Sequence, residues 1–136
     1  MDLVKSFKIA ASGLTAQTGR MRVIAENMAN ANSTAHTPGG DPYRRQVPSF
    51  RAEFDRELQA NVVRPGPIRP DRSEFSLRHE PGHPAADEDG YVKTPNVDPL
   101  IESMDMREAQ RSYEANLNVV RAARGMVMRT LDILRG

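Results

Sequence analysis

Between Phe7 and Ala31 the core-type positions advance by threes and fours in strict alternation: Phe7, Ala10, Leu14, Gln17, Met21, Ile24, Met28 and Ala31, with Gln17 the one polar member. That is the a/d spacing of a coiled-coil seam, and it predicts a helix over about residues 3–31. Gly13 and Gly19 lie inside it and each costs up to about 1 kcal/mol relative to Ala, so this helix needs a partner. The last third of the chain repeats the pattern through Met106, Ala109, Tyr113, Asn116, Val120, Ala123, Val127, Thr130 and Leu134. Asp98 followed by Pro99 marks its start, as an N-cap and a proline at the first helical position. Leu117, Met126, Met128, Leu131 and Ile133 lie off this second seam, so the stripe is wider than one partner helix requires.

The stretch "ENMANANSTAHTPGG", Glu26 to Gly40, ends the first helix. Asn30 and Asn32 suit local side-chain to backbone bonds or left-handed backbone angles, and Gly39 and Gly40 permit a sharp redirection. Asn27, still on the helix, is expected to face a neighbour or water. Beyond the stop, "PYRRQVPSF", "EFSLRH" and "GYVKT" read as short strands, separated by the proline-rich "RPGPIRPDR" and "EPGHPAADEDG". Prolines at that frequency confine pairing to hairpins or edge pieces. The expected fold class is therefore mainly α. Long N- and C-terminal helices (within 1–33 and 98–136) form an antiparallel coiled coil, and an irregular middle, 34–97, carries short β-strands.

Composition supports that economy. Only 38% of the 136 residues are hydrophobic, Trp is absent, and three Tyr and four Phe are the only aromatics, so a large private core is not expected. The net charge of +1 is spread as +3, −3 and +1 over residues 1–50, 51–100 and 101–136, which gives no phosphate-binding face and argues against a nucleic-acid partner. There are no cysteines, hence no disulfide or thiolate metal site. No apolar run reaches the ~20 residues of a membrane span, and no signal-cleavage pattern is present, so neither membrane insertion nor signal-peptide removal is expected.

Candidate chemistry is sparse. His79 and His83 in "HEPGH" imitate the spacing of a helical zinc motif, but Pro81 and Gly82 exclude the helix that would bring both imidazoles to one face. The run Asp87, Glu88, Asp89 lacks the alternating ligands of a calcium loop and reads as a charged hairpin tip. No Ser, His and Asp constellation stands out. The sequence points to no enzyme, no cofactor and no catalytic or metal site.

"ASGLTAQTGRMRVIAENMANANST" resembles the N-terminal signature of bacterial flagellar axial proteins, the rod and hook family. "PGHPAADEDGYVKTPNVD" and "RSYEANLNVVRAARGMVMRTLDIL" resemble, more narrowly, its proximal rod members. The resemblance implies a structural subunit that transmits motor torque across the envelope. It also implies inner-layer helices packed as a coiled coil and export through the flagellar type III apparatus without a cleaved signal peptide. Assembly would then take place in the periplasm, with copies of itself and other rod proteins, into a helical tube. The residues expected at the coiled-coil or intersubunit seam are Phe7, Leu14, Gln17, Met21, Ile24, Met28, Tyr113, Asn116, Val120, Val127 and Leu134. Matching the two stripes in opposite order sets Phe7 against Leu134, Leu14 against Val127 and Ile24 against Asn116. A cytosolic helical adaptor dimerising through the same heptads is the competing reading, but it leaves the terminal placement of the helices unexplained.

Overall fold

The computed structural model describes residues 2–136. Helix α1 spans Leu3–Ala29, and α2 spans Pro99–Arg135. Each begins on an aspartate cap: Asp2 Oδ1 accepts the Val4 N–H at 2.9 Å, and Asp98 Oδ1 accepts the Leu100 N–H at 2.9 Å. Between them lie β1 (Gln46–Val47), β2 (Phe50–Asp55), β3 (Ala60–Pro65), β4 (Arg69–Pro70), β5 (Ser76–His79) and β6 (Tyr91–Thr94). They form three separate antiparallel pairs, β1 with β4, β2 with β3 and β5 with β6. The chain is thus two terminal helices with a middle of short strands.

The hairpin β2–β3 has no counterpart in the sequence reading, which places no strand between Phe50 and Glu74. Its charges, Glu53, Asp55, Arg56 and Glu57, resemble a loop. Glu53 pairs with Val62 inside the hairpin, and the others close a tight connection in which Asp55 Oδ1 accepts the N–H groups of Glu57 and Leu58 at 2.9 and 3.1 Å and Gln59 takes a positive φ of 51°. The β5–β6 hairpin closes on the acidic tip. There Asp87 Oδ1 accepts the N–H groups of Asp89 and Tyr91 at 3.0 and 2.9 Å, with Gly90 at φ 84°. His79 rests edge-on against Tyr91 at 4.9 Å, and His83 Nδ1 accepts the Ala85 N–H at 3.0 Å.

The chain divides into two compact units, and both helices contribute to each. The first comprises residues 1–21, 48–67 and 107–136; the second comprises 22–47 and 68–106. In the first unit the buried side chains are small: Ala10, Ala16, Val62, Ala109 and Ala123. Helices lined by such residues approach closely. A Cβ added to Gly13 would lie 2.7 Å from Asn116 Nδ2, so that glycine makes the room Asn116 occupies. The second unit buries Val23, Ile24, Ala85, Val92 and Val97.

Contacts within the first unit correct the expected register. Phe7 shares a cleft with Ala123 and Val127, Gly13 faces Asn116, and Arg20 pairs with Glu108 at 3.5 Å. Asn116 therefore meets position 13 rather than position 24, a slide of eleven residues, or three helical turns. Val127, expected opposite Leu14, lies beside Phe7. Both stripes repeat at threes and fours, so a slide by whole turns still sets seam against seam. The choice between registers falls to close packing, which the seam spacing does not encode.

Candidate functional site

The most constrained chemistry in the chain lies in the second unit, where the backbone leaving α1 returns past it at Tyr43–Val47. Asn27, near the end of α1, is fully buried at 0% exposure. Its Oδ1 accepts the Tyr43 hydroxyl at 2.7 Å and the Gln46 N–H at 3.0 Å. Its Nδ2 donates to the Gln46 carbonyl at 2.8 Å and to Glu102 Oε2 at 3.4 Å. The side-chain amide therefore binds both backbone groups of one residue, as a neighbouring strand would. Only an amide offers a donor and an acceptor in that arrangement; an aspartate would set negative charge against the Gln46 carbonyl and Glu102. This corrects the expectation that Asn27 faces a neighbour or water. A polar side chain on an apolar helix face reads as solvated until a returning strand is known to pass it.

Glu102, in the first turn of α2, is the other fully buried polar residue among the described residues, at 0% exposure. Its Oε1 takes the Nε of Arg45 in a close ion pair. Arg45 engages two further carboxylates, Asp71 Oδ2 from Nη1 at 3.3 Å and Asp105 Oδ2 from Nη2 at 3.5 Å. Its backbone N–H donates to Asn96 Oδ1 at 2.8 Å. Burial by itself would lower the Arg45 pKa. The hydrogen bond and charge of Glu102, then those of Asp71, outweigh it and leave the guanidinium above its ordinary value. Tyr43 is also held above its usual range, first by burial and then by the charges of Glu26 and Glu102, so it stays a hydroxyl donor. Arg44 donates from Nη1 to the carbonyls of Asp71 and Ser73 at 2.8 and 2.9 Å and stacks on Phe75 at 4.1 Å.

Chemically this cluster holds rather than reacts. It has no nucleophile–base pair, no group of three metal-ligating side chains occurs among the described residues, and each polar group is consumed by another. It fixes where the chain turns away from α1. A pH dependence follows from Asp71, whose pKa is lowered by the backbone N–H and hydroxyl of Ser73 and, after the opposing effect of burial, by Arg45. A depressed carboxylate contributes stability above its ordinary pKa near 4, and that contribution disappears as pH falls through the lowered value. Asp71→Asn keeps an acceptor for the Ser73 N–H and should flatten the acid limb of the second unit's melting profile. The effect should be modest for a side chain 28% exposed. An acid limb identical to wild type would show that Asp71 carries none of it.

The remaining exit residues behave variously. Asn30 Nδ2 donates back to the Glu26 carbonyl at 2.8 Å, the local bond expected of it. Asn32 is exposed, and neither Asn30 nor Asn32 takes a left-handed backbone. Gly39 does, at φ 67°, and a Cβ at Gly40 would lie 2.7 Å from Thr37 Oγ1. Among the seam residues Ile24 is buried, while Leu14, Gln17, Met21, Tyr113, Asn116 and Val120 are half-buried. Phe7, Met28, Val127 and Leu134 are exposed. The sequence reading missed Tyr43, Arg45, Asn96 and Glu102. One signal was present: Glu102 lies seven residues before Ala109, a charge in phase with the apolar stripe.

No helix among the described residues is long and apolar enough to cross a membrane. Residues 88–133 match the family described as flagellar basal body rod FlgEFG protein C-terminal, and full-length relatives set the same class, rod proteins of the bacterial flagellum. The chain is 50% identical over 128 residues to the flagellar basal-body rod protein FlgC of Agrobacterium fabrum, covering 94% of this chain and 92% of that protein. It is 38% identical to the FlgC proteins of Bacillus subtilis (98% and 99% covered) and Escherichia coli O157:H7 (98% and 98%). The chain belongs to the FlgC family of flagellar basal-body rod proteins, a family of structural proteins and not of enzymes.

Proposed function

We propose that the protein is a structural subunit of the proximal part of the flagellar rod, transmitting torque as one member of a helical tube. The observation that carries the reading is the apolar surface left exposed by the helix ends of the first unit: Phe7 at 42%, Leu131 at 49%, and Ile133 and Leu134 at 78% each. A chain with so little private core leaves such surface open when neighbours will cover it. In this reading α1 and α2 form an antiparallel coiled coil in the inner layer, and the seam residues divide between packing within the subunit and packing against neighbours. The polar cluster around Asn27 and Arg45 sets where the middle segment departs. Passage through the flagellar type III export apparatus into the periplasm, with other rod proteins as neighbours, follows from the family resemblance.

A strain lacking the gene should grow normally and fail to swim, and basal bodies purified from the parent should contain the protein. Normal swimming in that strain, with the protein confined to the cytosol, would favour a dimerising adaptor instead.

A further inference from the structure

Strand β2 carries an open edge. Its one hydrogen-bonded neighbour strand among the described residues is β3, and every residue from Phe50 to Phe54 is exposed. The ladder fixes which backbone groups face that edge. The Gly66 N–H donates to the Ser49 carbonyl at 2.7 Å, whereas the Val63 N–H turns away from β2 to Ser12 Oγ at 3.2 Å. Hydrogen-bonded and non-hydrogen-bonded pairs alternate along an antiparallel ladder. Ala52, opposite Val63, therefore directs its N–H and carbonyl outward, as do Phe50 and Phe54 two places to either side. An edge of that length, with Phe50 and Phe54 42% and 55% exposed, is a template for another strand.

We propose that this edge takes the same strand of a second copy, antiparallel, about a twofold axis through Ala52. In that register Phe50 opposes Phe54, Arg51 opposes Glu53, and Ala52 opposes its own counterpart. The three outward-facing residues meet one another and exchange the ladder's hydrogen bonds. The opposite charges fall at the closer, non-hydrogen-bonded sites. No neighbouring register does this. A slide of two residues sets Arg51 against Arg51 in one direction and Glu53 against Glu53 in the other, and a parallel in-register pairing does both. A slide of one residue turns the charged face of one strand to the aromatic face of the other. The single hairpin also leaves Arg51 short of countercharge. It stands directly opposite Arg64, and its one ion pair among the described residues is an exposed contact with Glu53 at 3.5 Å. Glu53 of the second copy supplies another carboxylate.

A twofold pair points its two copies in opposite directions, so it cannot recur between like-oriented subunits of a tube. The contact belongs to copies outside the rod, and a chain must leave it to enter one. One strand pair falls below the roughly 1,200 Å² of a stable interface, so the dimer is weak and reversible.

The test is sedimentation equilibrium of the full chain from about 1 μM to about 1 mM. The wild-type mass should rise from monomer towards dimer across that range. Glu53→Arg sets two arginine pairs across the axis and should weaken association about tenfold or more. Arg51→Glu combined with Glu53→Arg restores opposite charges and should return to within about threefold of wild type. Ala52→Pro removes an outward N–H that β3 does not use, and should abolish association with the circular dichroism unchanged. Chains carrying Arg51→Cys and Glu53→Cys should join by a disulfide when mixed, at a Cα separation of about 4.5 Å, and neither should do so alone. A wild-type chain that stays monomeric throughout, a dimer indifferent to Ala52→Pro, an exchanged chain no better than Glu53→Arg, or no mixed disulfide would each overturn the proposal. Those outcomes leave the rod-subunit reading standing. Absence of the wild-type protein from basal bodies would sink that reading instead.

Discussion

Arg45→Met is expected to destabilise the second unit by about 3–5 kcal/mol, the range for breaking a buried ion pair from one side. Glu102 has no access to solvent, and among the described residues Arg45 is the one cation paired with it. Removing the guanidinium leaves Glu102, Asp71 and Asp105 without the cation they share. Methionine preserves most of the apolar stem, so the loss is electrostatic rather than a cavity. A loss of that size should lower the melting temperature by roughly 10 °C or more. Amide exchange should quicken at Tyr43–Val47, the segment the cluster pins. Adding Glu102→Leu should recover most of the deficit, because two apolar groups replace a buried pair at little cost. An Arg45→Met protein that melts with wild type and keeps those amides protected would show that the pair contributes nothing.

Gly13→Cys with Asn116→Cys should cross-link within one chain almost completely under mild oxidation. The Cβ built at Gly13 lies 2.9 Å from Asn116 Cγ. One further bond of about 1.5 Å puts the two Cβ atoms at most about 4.4 Å apart, inside the disulfide range of about 3.5–4.5 Å. Leu14→Cys with Val127→Cys, the pair demanded by matching the stripes end to end, should stay reduced, since Val127 lies beside Phe7. The absence of native cysteines leaves no competing thiol, so a non-reducing gel decides it. Closure of the second pair without the first would restore the end-to-end register.

Gln17 and Asn27 mark how far the sequence could be read. Both are amides on α1, Gln17 the one polar member of the seam and Asn27 expected to face a neighbour or water. One is instead saturated by a strand arriving from Gln46, nineteen positions on, and the other is left with a buried acceptor unpaired. Local pattern carries the helix, its caps and its stop, because those depend on neighbours within a turn or two. It does not carry which distant segment passes a given side chain.

The sequence by itself determined the two terminal helices, the Asp98–Pro99 start of the second, the broken strand-bearing middle and the family. Each rests on short-range periodicity, turn chemistry or contiguous motifs. Only the tertiary structure decided the helix register, the β2–β3 hairpin and the cluster of Asn27, Tyr43, Arg45 and Glu102. Seams that repeat every three and four residues look alike after a slide of three turns. What separates one slide from another is the volume of Gly13 beneath Asn116. Likewise Arg45 and Glu102, 57 positions apart, acquire their meaning only when folding removes Glu102 from water and sets Arg45 against it as its countercharge.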